Sequence, residues 1–80
     1  MKLKEDTVFI SFSSTSDSLF AEKAVEDPYP DLRLVPTPRE ISRSCGLSLM
    51  VPPALQEEVL ALLAAKNIPV RSVDVIPANP

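Results

Sequence analysis

The sequence predicts an α+β sandwich, one four-stranded antiparallel sheet with two helices on one face. Three observations lead there. Four short runs rich in β-branched, aromatic or alternating apolar residues fall at 7–12, 32–35, 47–51 and 70–76. Two longer stretches space their apolar residues as helices do. And the elements come in the order β-α-β-β-α-β, two strand–helix–strand halves, for which this is the simplest packing. That is the ferredoxin-like arrangement, with the first and third strands side by side at the centre. At 80 residues there is room for one domain, 1–80, with an ordered core of about 7–76. A chain this short hides only about 60 % of the surface it exposes when unfolded.

Each element has its own signals. Thr7–Phe12 reads as a strand with Val8, Ile10 and Phe12 on one face and Phe9 on the other. Ser13-Ser14-Thr15-Ser16-Asp17 starts a helix, with Ser14 and Asp17 spaced as a capping box. A serine run at a helix start serves the cap, or alternatively receives a phosphate. The first helix is expected from Thr15 or Ser16 to Glu26. Its apolar stripe is Phe20, Ala21, Ala24 and Val25 with Leu19 beside it, and Glu22, Lys23 and Glu26 face water. Pro28 and Pro30, bracketing Tyr29, end it and make a rigid connector. Leu32–Val35 forms the second strand.

Between Pro36 and Leu47 the pattern changes. Thr37-Pro38-Arg39-Glu40 has a cap, a proline at the first helical position and a glutamate three beyond the cap, so one helical turn is expected at about Pro38 to Arg43. Ser44-Cys45-Gly46 follows, and Gly46 suits either a positive φ or a close backbone approach. Leu47–Val51 alternates as the third strand, with Leu47, Leu49 and Val51 facing the core. Pro52-Pro53 launches the second helix, Ala54 to about Lys66, with Leu55, Val59, Leu62 and Leu63 at helical spacing and acidic residues near its start. Asn67 suits a left-handed ending. Val70–Ile76 is the fourth strand and 77–80 a frayed tail. In this arrangement the loop before the third strand is expected near Thr7 and Ile76, away from the serine run. Phe9, Val35 and Met50 fall on the helix-free face, a possible docking face for a partner or a second copy.

Composition narrows the function. The net charge of −3, with both signs mixed along the chain, leaves no basic footprint for nucleic acid. No apolar run approaches the roughly 20 residues of a membrane span, and the charged start, Met1 to Asp6, does not read as a signal peptide. A cytoplasmic protein is therefore expected. There is one cysteine, Cys45, and no histidine. That inventory excludes an internal disulfide, a Cys-x-x-Cys redox pair, a Cys/His nucleophile pair and a zinc finger. No metal and no cofactor is expected. If Cys45 does chemistry, it does so as a lone thiol.

The residues Pro36-Thr37-Pro38-Arg39-Glu40-Ile41-Ser42-Arg43-Ser44-Cys45-Gly46-Leu47 closely resemble the signature of a small bacterial family of selenium/sulfur carrier protein-like domains. The similarity runs from about Val8 to Ile76 and takes in Ala21-Glu22-Lys23 on the first helix and Arg33-Leu34-Val35-Pro36. The Ser44-Cys45-Gly46-Leu47 segment is its most specific part. Two departures stand out. Where family members have a short glycine-containing link after the first helix, this chain has Asp27-Pro28-Tyr29-Pro30-Asp31, and it lacks the additional cysteine that some carry.

The resemblance implies that Cys45 holds a persulfide or selenopersulfide, taking the atom from a cysteine or selenocysteine desulfurase and passing it to an acceptor. That is the work of a carrier, not of a free-standing enzyme. A lone thiol suits it, since a second one would collapse the persulfide into a disulfide. Arg39 and Arg43, with Ser44 and Gly46, are the candidate thiolate supports. Glu40 opposes them by pairing with Arg43, and the C-terminal end of the expected turn also disfavours an anion. The alternative reading is a non-catalytic ferredoxin-like module that binds a protein or a small ligand. Cys45 is then structural, one of the small hydrophobes that free cysteines commonly are, and a homodimer is possible.

Overall fold

The computed structural model describes residues 6–37 and 46–78. In chain order these form β1 (Thr7–Ser11), α1 (Thr15–Glu26), β2 (Arg33–Pro36), β3 (Leu47–Val51), a 3-10 turn (Pro53–Leu55), α2 (Gln56–Ala65) and β4 (Ser72–Ile76). The strands make one antiparallel sheet in the order β2-β3-β1-β4. This is an α+β fold of the ferredoxin-like type, with β1 and β3 at the centre as the element order predicts. The proline pair Pro52-Pro53 starts the second helix as a 3-10 turn, and Asn67 ends it in the left-handed region at φ 59.

Alternation decides which side chains meet. Val8, Ile10 and Phe12 share a core with Leu49 and Val51 of β3, Ala21 and Val25 of α1, and Val59 and Leu63 of α2. The first helix buries Ser18, Ala21 and Val25, and Phe20 and Leu19 stand out at 62 % and 52 % exposure. Of the expected stripe, Ala21 and Val25 are buried as expected, whereas Phe20 and Leu19 face outward. Successive helical residues point about 100° apart, and the helix turns its small side chains to the sheet. Ser14 caps it: its hydroxyl accepts from the Asp17 N–H at 3.1 Å, while the Ser18 hydroxyl donates to the Ser14 carbonyl. The tail is better held than a frayed end, since the Ala78 N–H donates to Asp6 Oδ1 at 2.9 Å.

Register overturns one further expectation. Ser11 lies opposite Ser48, and Val8 opposite Val51. The start of β3 therefore sits beside the end of β1, and the β2–β3 connection leaves the sheet next to the serines that begin α1, not near Thr7 and Ile76. The reason is topological. A helix crossover returns β2 in the same direction as β1, so both strands finish at one end, and β3 begins there.

Core and surface positions on the helices should respond very differently to truncation. Leu63→Ala, at a fully buried site, is expected to cost about 2–5 kcal/mol. Phe20→Ala should stay within about 0.5 kcal/mol. Urea unfolding of both variants reads the difference, and a large loss at Phe20 would contradict this packing.

Candidate functional site

The twelve-residue signature enters through β2 and leaves through β3. Its two stems are among the described residues. Pro36 pairs with Leu47, and one step further the Thr37 N–H donates to the Gly46 carbonyl at 2.8 Å. That bond closes the eight-residue connection 38–45. Cys45, Arg39, Arg43 and Ser44, and the helical turn expected at Pro38 to Arg43, lie outside the described residues. Gly46 is exposed, and a Cβ there would meet Thr37 Oγ1 at 3.7 Å, ordinary contact. Its φ is not positive either, so neither reason expected for glycine at this position holds among the described residues.

Beneath the stems, the face of the sheet turned away from α1 and α2 is polar. Thr37 Oγ1 lies 2.7 Å from Ser48 Oγ, which lies 2.9 Å from Ser11 Oγ. Ser48 is fully buried and Ser11 nearly so. Ser72 of β4 stands opposite Ser11 and extends the row of hydroxyls. Sequence reasoning missed these residues. The signal was there, since residues of matching alternation in neighbouring strands share a face, but only the register aligns Ser11 with Ser48.

The next rung of the same face is different. Phe9 pairs with Met50 on one side and Asp74 on the other, and Met50 pairs with Arg33. Phe9 is completely buried, whereas Val35 and Met50 are half-buried. So the three apolar residues assigned to this face do lie on it, and Phe9 contributes no accessible surface. Beyond Met50, at the far end of the sheet from the signature, a groove of about 570 Å³ runs between Tyr29, Leu32, Met50, Val51, Pro52 and Leu55. The proline-bracketed Tyr29 packs against the core there, and its hydroxyl donates to Glu58 Oε2 at 3.3 Å. Desolvation, and then the Glu58 carboxylate, raise the Tyr29 phenol above its ordinary range.

With the fold and the stems in place, comparison with known proteins is specific on one point. The family model described as "Putative Se/S carrier protein-like" matches residues 7–73. The chain belongs to this family. The match runs from β1 into β4, a range that contains residues 36–47 and the one cysteine of the sequence. No curated protein and no solved structure gives a significant match. Among the described residues no helix is long and apolar enough to cross a membrane.

Two measurements follow from this geometry. Ser48→Ala removes the shared partner of two hydroxyls, one of them nearly buried. A loss of about 1–3 kcal/mol is expected, with a smaller additional loss when Ser11→Ala is added, read in a double-mutant cycle by urea unfolding. Glu58→Gln should move the Tyr29 titration down toward, but not fully to, the ordinary tyrosine value, because desolvation stays. Since the folded state favours the neutral phenol, its contribution to stability is complete below about pH 10 and is lost as pH rises through the folded-state value. Ultraviolet titration of the single tyrosine checks the shift.

Proposed function

We propose that this protein is a sulfur or selenium carrier whose working atom is the Cys45 sulfur. The observation that carries the proposal is the family match over residues 7–73, which contains the only cysteine of the chain. The chemistry needs little else. The Cys45 thiolate attacks the terminal sulfur of a donor's persulfide, a new S–S bond forms to Cys45, and the donor's S–S bond breaks to release its thiolate. The exchange is a group transfer without net oxidation. An acceptor nucleophile then takes the terminal atom and Cys45 leaves as thiolate. With selenium the same steps run through an S–Se bond.

Several features support this reading. No second thiol in the chain can attack the persulfide from within. Arg39 and Arg43 bring positive charge close in sequence, which favours the thiolate. The partners are a desulfurase-type donor and an acceptor protein, and the protein acts stoichiometrically between them. A reducing, cytoplasmic setting keeps the lone thiol free. The competing reading, a binding module docking through Phe9, Val35 and Met50, has less support, because Phe9 is fully buried.

The test is direct. The native protein should react with iodoacetamide at Cys45. Incubation with a cysteine or selenocysteine desulfurase and its substrate should add the mass of one sulfur or selenium atom, and Cys45→Ser should gain none. A native Cys45 that neither alkylates nor gains mass would end the proposal.

A further inference from the structure

The hydroxyls on the face turned away from α1 and α2 are not spread evenly. They cluster where the signature enters and leaves the sheet, whereas the adjacent rung is Phe9 and Met50. Burying hydroxyls between central strands is costlier than burying methyl groups unless every one finds a partner. Here they do: Ser11 and Ser48 bond across the β1–β3 pair, and Ser48 bonds to Thr37 across the β3–β2 pair. The two central strands are thus tied, through side chains, to Thr37, the residue that follows β2 and opens the 38–45 connection.

Thr37 is anchored twice. Its N–H bonds to the carbonyl of Gly46, and its hydroxyl to Ser48. Gly46 directly follows Cys45 in the chain. Two bonds among three hydroxyls use two of their three protons, and the third is left for another acceptor.

We propose that Thr37, Ser48 and Ser11 form a positioning relay that fixes the stem of the Cys45 connection for transfer from a protein donor, resting on the reading of Cys45 as the carrying residue. The relay does not need to touch the sulfur. It transmits the rigidity of the central β1–β3 pair to β2, the edge strand from which the connection departs. Misplacing a reacting group by about an ångström can cost up to roughly a hundredfold in rate. A small reagent that collides from any direction is far less sensitive to such a change.

Thr37→Val removes the hydroxyl at constant shape, and Thr37→Ser keeps it. The first should speed hydrogen exchange at the residue-37 amide roughly tenfold, leaving the Ile10 amide unchanged, and should slow loading of Cys45 by cysteine desulfurase roughly tenfold or more. Iodoacetamide alkylation should change by less than about threefold, and Thr37→Ser should restore both exchange and loading. Ser48→Ala, if it folds, should reproduce Thr37→Val. Unchanged exchange in Thr37→Val overturns the relay, and faster exchange with normal loading overturns its positioning role. A wild-type protein that does not load at all defeats the carrier reading instead, and the exchange measurement then decides alone whether the hydroxyls hold the stem.

Discussion

The pairing of β1 with β3 is the constraint on which the rest of this small domain depends. Both strands are central, and each is buried on both faces over much of its length: Val8, Phe9 and Ile10 in one, Ser48 and Leu49 in the other, are all inaccessible. A strand with one buried face can be shifted only at the cost of turning its apolar side chains outward, and a strand with two buried faces has no tolerant direction at all. That single register places Ile10 against Leu49 for the helices and Ser11 against Ser48 for the opposite face. Both layers of the protein are set by it.

From this pair the placement of the connection's two stems follows. Because β2 runs parallel to β1 and antiparallel to β3, the signature connection leaves the sheet where β1 passes into the capped start of α1. The stem is closed by a backbone bond between Thr37 and Gly46 and braced by hydroxyls from the central strands. The opposite end of the sheet carries a groove of different character, lined by Tyr29, Leu32 and Met50. The two ends of the sheet therefore differ in character, one braced by hydroxyls and the other apolar.

Much of the scaffold was legible in the sequence. The strands at 7–11 and 47–51, the Ser14 cap and the asparagine ending all follow from local chemistry that acts within a few residues. The misreadings were of another kind. Phe20 was assigned inward because a helical stripe of large residues is the usual core signal, but α1 presents Ser18, Ala21 and Val25 to the sheet instead. Of the candidate site, Cys45, Arg39 and Arg43 are named by the motif alone and lie outside the described residues. Thr37, Ser48 and Ser11 were not recognised, because serines and threonines in strands carry no local mark of partnership.

The sequence by itself determined the order of elements, the caps and breaks between them, the absence of any second thiol or imidazole, and the resemblance to the family that the comparison then showed. Each is a property of residue type and spacing, readable without knowing what lies nearby. Only the tertiary structure decided which end of the sheet carries the 36–47 stretch, which face of α1 is buried, and that hydroxyls from the two central strands meet the Thr37 hydroxyl at the stem. Those facts depend on residues 11, 37 and 48 being neighbours in space. Strand pairing alone makes them so.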